Sequence, residues 1–144
     1  MSSFCPDINV WIALAYRGHQ HHTSANSWFA TLDDETAYFC RLTQLGFLRL
    51  LTLSQVMHED IQSQKQAWLI YDKLMESDNV AFLTEPDNAQ LEFRLRQLSS
   101  STLASAKQWP DAYIAAFAKT SGLTLVTFDR ALSQNAPGTV LLLS

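Results

Sequence analysis

Three aspartates far apart in the chain share one local setting. Asp7 follows the apolar run SFCP, Asp129 follows LTLVTF, and Asp111 stands in WPDAYIAA at a helix start. Each acid alone is well explained as a helix cap or first-turn residue, where its charge suits the orphan N–H groups and the helix dipole. Together they suggest different chemistry. Carboxylates gathered at one sheet edge repel one another unless a cation offsets them. An all-oxygen donor set favours Mg²⁺ or Mn²⁺, which can hold a phosphate and lower the pKa of an attacking water. Asn9 and Thr127 stand two residues from Asp7 and Asp129 and supply neutral oxygens that orient a ligand.

These acids meet only if the elements bearing them form one sheet. Ser2 to Cys5, Ala37 to Leu42, Val80 to Leu83, Leu123 to Phe128 and Thr139 to Leu143 are short apolar runs expected to be strands. Helical spacing falls between them, over Ile8 to Tyr16, Thr23 to Leu32, Thr43 to Leu51, Asp60 to Ser77, a segment opened by Pro86-Asp87, and Pro110 to Thr120. Thr23 or Ser24 is the expected cap of the second helix, Gly122 the terminator of the last. Leu45, Leu48 and Leu51 read as one apolar face, as do Ile61, Ala67, Trp68, Tyr71 and Leu74. Strands lacking period-two alternation and alternating with helices predict an α/β fold, a central parallel sheet of about five short strands covered on both faces. Ligands then gather beyond the carboxyl ends of the strands.

With 144 residues, 47% hydrophobic and 17% charged, the chain is expected to form one domain over residues 1–144. It shows no apolar stretch of roughly 18 residues and no leader-like N-terminus, so a cytoplasmic location is expected. Cys5 and Cys40 lack paired zinc spacing and read as buried structural thiols. A net charge of −4 argues against sequence-independent nucleic-acid binding through many Lys and Arg contacts, and leaves a nuclease whose positive charge comes from metal ions.

Four segments in order, PDINVWIALA, CRLTQLGFLRLLT, WPDAYIAAFA and LVTFDRAL, resemble the PIN domain and, within it, VapC-like toxins of toxin–antitoxin pairs. The resemblance implies a metal-dependent endoribonuclease using Mg²⁺ or Mn²⁺, acting on RNA and inhibited by a cognate VapB-like antitoxin. Asp7, Asp111 and Asp129 match the family's metal-holding acids, and Thr127 its hydroxyl residue before the last acid. Many relatives carry Glu where this chain has Gln44, a neutral and weaker contributor. Glu85 is an alternative acid if its strand lies near enough.

Other features carry two readings. His19, His21 and His22 suit a solvated loop better than a transition-metal site. Arg41, Arg49 and Arg130 are RNA-phosphate contacts or ordinary surface charges. The apolar run LTQLGFLRLLTLSQVM, with Trp28 and Phe29, packs the core or forms a groove for an antitoxin helix or a second copy of the chain, a homodimer being the expected assembly. Trp109 packs at a helix entry or stacks on a base. A binding module with a decayed site is the alternative function. A DxD phosphotransferase fails because Asn9 stands where its second acid belongs, and a receiver domain fails because Phe82-Leu83-Thr84 offers no phosphorylatable acid.

Overall fold

The computed structural model describes residues 3–86 and 89–144. Along the chain run β1 (Ser3–Pro6), α1 (Ile8–Ala15), α2 (His22–Ala30), β2 (Thr36–Phe39), α3 (Arg41–Leu51), α4 (Ser54–Met57) and α5 (Gln64–Met75). They are followed by β3 (Val80–Phe82), α6 (Ala89–Leu98), α7 (Gln108–Thr120), β4 (Thr124–Thr127), α8 (Arg130–Asn135) and β5 (Val140–Leu142). The strands form one parallel sheet in the order β3-β2-β1-β4-β5. Chain direction across the sheet reverses between β1 and β4, which makes the carboxyl ends of those two strands the topological switch point. Among the described residues no helix is long and apolar enough to cross a membrane.

Neighbouring residues of a strand point to opposite faces, and here both faces are apolar. Phe4 and Val126 belong to one core with Trp11, Trp28, Phe39 and Phe47, whereas Cys5 and Leu125 belong to a second with Ile114 and Phe117. That double covering is why the strands show no alternation. In the first core Trp11 stacks on Phe39 with centroids 3.8 Å apart, and Phe39 meets Phe47 and Tyr71 edge-on at 5.8 and 4.9 Å. Both cysteines are buried free thiols, as their positions suggested.

Several boundaries differ from expectation for physical reasons. Helix α2 begins at His22, so Thr23 and Ser24 lie inside it and cap nothing. Its start is held instead by tertiary contacts: His22 Nδ1 lies 2.8 Å from the Ala13 carbonyl, and the His21 ring stacks on Phe128 at 4.2 Å. The histidine cluster is therefore a packed junction rather than a solvated loop. Strand β2 ends at Phe39 because Thr43 Oγ1 accepts the Cys40 N–H at 2.9 Å and turns the chain into α3, which takes Arg41 and Leu42 into the helix. The buried face of α3 carries Thr43, Gln44, Phe47 and Leu51, while Leu45 is 56% exposed. Two polar residues with satisfied groups displace a leucine from the core face. Ile61 and Trp68 are likewise exposed. Gly122, at φ +70°, ends α7 in the left-handed region as expected. The expected start of the first strand at Ser2 and of a helix at Asp87 falls outside the described residues.

Phe39 touches three aromatic rings and has no exposed surface. Phe39→Ala is expected to lower stability by about 3–5 kcal/mol, read as a shifted urea midpoint, through lost burial and an uncollapsed cavity. A loss under about 1 kcal/mol would mean the aromatic cluster is not what holds α1, α3 and α5 to the sheet.

Candidate active site

The register of the two central strands builds the site. Pro6 pairs with Val126, and the Asp7 N–H donates to the Val126 carbonyl at 2.9 Å, so the next residues, Asp7 and Thr127, stand side by side. Thr127 is fully buried, and its Oγ1 donates to Asp7 Oδ2. The same oxygen accepts the Asp129 N–H at 2.9 Å. One hydroxyl therefore ties the ends of β1 and β4 together.

Asp7 and Asp129 are also the N-caps of the helices that follow. Asp7 Oδ1 accepts the Val10 N–H and Asp129 Oδ1 the Leu132 N–H, each at 3.1 Å. The capping role and a ligand role coexist, because a carboxylate has two oxygens with two lone pairs each. Asp111 arrives from α7, which precedes β4 and runs back along the sheet, so its first turn lies over the carboxyl ends of the strands.

Asp7, Asn9, Arg49, Asp111 and Asp129 line one cleft of about 240 Å³, together with the apolar Ile8, Gly46 and Ile114. A Cβ on Gly46 would sit 2.2 Å from Ile8 Cδ1, so a glycine lets α3 come this close beside Asp7. Asp7 is buried, and loss of hydration lifts its carboxyl to about 6, against hydrogen bonds from Thr127 and the Val10 and Asn9 N–H groups; the charge of Asp111 adds to the rise. The Asp111 carboxyl is also raised, first by partial burial and then by Asp129. Each acid feels the next, and the cleft holds more negative charge than its own groups offset.

Gln44 does not line this cleft. Its Oε1 accepts from Arg41 Nη1 at 2.5 Å and it also bonds Tyr71, which fixes it in the wall between α3 and α5. Arg41 in turn lies 4.7 Å over the Phe82 ring, so it faces the sheet edge rather than the acids. Glu85 follows the edge strand β3, accepts the Tyr113 hydroxyl at 2.6 Å and lines a separate cavity. It is no substitute for a fourth acid. Arg49 lines the cleft and, among the described residues, makes no ion pair. Arg130 is exposed at the start of α8. Asp111 and Asp129 are exposed at the mouth, and Asp7 lies at the base.

The PIN domain family model matches residues 4–136. The sequence is 37% identical to Ribonuclease VapC41 of Mycobacterium tuberculosis over 133 residues, 89% of this chain and 90% of that protein. It is 30% identical to Ribonuclease VapC38 of the same organism over 139 residues, 92% of each. The fold resembles that in the crystal structure of VapBC2 from Rickettsia felis bound to a promoter DNA fragment, with TM-score 0.69, 13% identity and 99% of each chain covered. It also resembles M. tuberculosis VapC20, a sarcin-ricin loop cleaving toxin, with TM-score 0.65, 18% identity and 91% and 93% covered. Matched along nearly its whole length by the family model and more than a third identical to a named member, the chain belongs to the PIN domain family, among its VapC ribonucleases.

Proposed function

We propose that this chain hydrolyses RNA phosphodiester bonds as an endoribonuclease dependent on Mg²⁺ or Mn²⁺, with Asp7, Asp111 and Asp129 holding the ion. The observation that carries this reading is that acids from three separate elements line one cleft at the switch point of the sheet. Among the described residues no three His, Cys, Asp or Glu side chains close into a ready-made cage. That openness fits Mg²⁺, which keeps several waters and is commonly held by one or two carboxylates together with substrate phosphates. A bound divalent ion supplies neutralising charge and a water of lowered pKa.

The chain's own groups do the rest. Thr127 holds Asp7 Oδ2 and the Asp129 backbone in fixed relation. Arg49 offers a guanidinium to a non-bridging phosphate oxygen, and Asn9 an exposed amide at the rim. Gln44, held by Arg41 and Tyr71 in the wall between α3 and α5, stands outside the ion's ligand set. The alternative of a binding module with a decayed site draws on the missing fourth acid and the open cage; Mn²⁺ titration separates the two, since a decayed site binds none at millimolar concentration.

A small inhibitory antitoxin, made alongside the chain in the cytosol, is the proposed protein partner, and a homodimer the proposed assembly. Leu45 on α3 and Trp68 and Leu69 on α5 are 56%, 46% and 61% exposed, and the adjacent pair on α5 supports coverage of that helix's outer face by another polypeptide.

Asp7→Asn, Asp111→Asn and Asp129→Asn are each expected to lose at least about 100-fold in cleavage of RNA with Mn²⁺, and Thr127→Val about 10- to 100-fold, the usual effect of losing a group that orients a ligand. Gln44→Met keeps activity within a few-fold. Full activity in any of the aspartate variants would remove that acid from the ion's ligand set.

Stability against pH gives an independent reading. The folded Asp7 carboxyl titrates near 6 and the unfolded one near 3.8, so the folded state binds more protons between them and stability falls as pH rises through that window. The cost above it is about 3 kcal/mol. In chelator at pH 7.5, Asp7→Asn is expected to be more stable than the parent to urea, with the gap closing near pH 4. A less stable variant at pH 7.5 would mean the carboxylate is already neutralised by the protein.

Leu69→Asp is expected either to halve the mass by light scattering or to abolish inhibition by the co-expressed product of the neighbouring gene, with cleavage by the free chain retained. Unchanged mass together with unchanged inhibition would exclude this face as the interface.

A further inference from the structure

Four tryptophans are present, and the most exposed of them stands beside the acids. Trp11 and Trp28 are buried and Trp68 packs edge-on against Tyr71 at 5.8 Å, but Trp109, two residues before Asp111, is 62% exposed. Packing at the helix entry, the bland expectation for this residue, is therefore not what it does. A large flat side chain left in water beside a reaction cleft costs hydration free energy without a structural return.

The cavities around it share lining residues, one after another, with the acid cleft. Trp109, Leu103, Gln108 and Ser101 line a hollow of about 250 Å³. Ser101 and Gln108 also line a neighbouring groove of about 450 Å³, bounded by Gln97, Asn135 and Asp111. Asp111 then forms the wall of the acid cleft itself. Shared residues thus connect the three aspartates, through Asp111 and then Gln108 and Ser101, to the Trp109 indole. The outer two cavities have no Lys or Arg in their lining. Within those linings the groups that can hold a strand are an aromatic face for stacking and side-chain amides for base edges.

We infer that Trp109 is a substrate-binding residue: an unpaired base of the RNA, on the side of the strand that leaves the cleft over Asp111, stacks on its indole, within reach of the amides of Gln97, Gln108 and Asn135. The inference rests on the ribonuclease reading above. It deepens that reading by requiring a single-stranded segment next to the bond that is cut. It also gives a chain of net charge −4 a means of binding a polyanion that does not depend on many phosphate contacts.

The test compares the full-length parent, Trp109→Ala and Trp109→Phe on a random-sequence single-stranded RNA pool with Mn²⁺. Trp109→Ala is expected to raise KM about 5- to 150-fold, the range for loss of one stacked base, with kcat within about threefold. Trp109→Phe recovers most of the loss, because any aromatic face stacks. Urea midpoints of both variants stay at the parent value, since the side chain is exposed. If the parent cleaves and Trp109→Ala has the same KM, or if Phe is no better than Ala, the inference is overturned while the ribonuclease reading stands. Loss of antitoxin inhibition with unchanged KM likewise overturns it and assigns the indole to a protein contact. A parent that cleaves no RNA sinks both.

Discussion

The hydroxyl of Thr127 is the joint on which the site depends. It has one proton, given to Asp7, and its oxygen takes the N–H of Asp129, so the geometry of two acids is set by one atom buried at the sheet's centre. That atom is in place only because Pro6 and Val126 are registered across β1 and β4. A slip of one residue would turn Thr127 to the other face and leave Asp7 with no donor on Oδ2. The apolar side chains that hold this register, Phe4 and Val126 in one core and the paired Cys5 and Leu125 in the other, are therefore as much a part of the site as the acids.

That joint does not make the cleft electrostatically comfortable. Asp7 accepts hydrogen bonds on both oxygens, and its carboxyl is still lifted to about 6 by burial. Hydrogen bonds offset part of the desolvation; the rest persists as destabilisation that the aromatic core around Trp11 and Phe39 must outweigh. Helix capping and ligand holding do not compete here, because one oxygen of Asp129 satisfies the Leu132 N–H and the other is uncommitted by any described contact. A cap at a strand end is thus a cheap way to aim a carboxylate into a crevice.

How much of this was legible follows from what each residue needs. The strands and the α/β alternation were readable because both faces of the sheet are apolar, and Thr127 because it stands two residues before Asp129 in the chain. The face of α3 was not: Leu45 looks like core, but Thr43 and Gln44 find partners in Cys40 and Arg41 and take the buried positions. Spacing carries no record of such satisfaction. Gln44 and Glu85 were weighed as site residues by sequence position alone, and their side chains are engaged by Arg41 and by Tyr113. The start of α2 depends on His21 and His22 meeting Phe128 and Ala13, contacts across the fold that no local cap signal reports.

The charge of the cleft links ion and substrate on the proposed function. Three carboxylates against the single guanidinium of Arg49 leave two negative charges where a phosphodiester, itself negative, must enter. Screening falls off over about 8 Å at physiological salt, so within a cleft of this size the repulsion is nearly undiminished. One divalent cation offsets that excess. Ion binding and admission of RNA are then a single linked equilibrium, each favouring the other by the same factor. The uncharged linings beyond Asp111 belong to the same logic: outside the reach of the ion, a chain with few basic residues holds its substrate by faces and edges of bases rather than by phosphates.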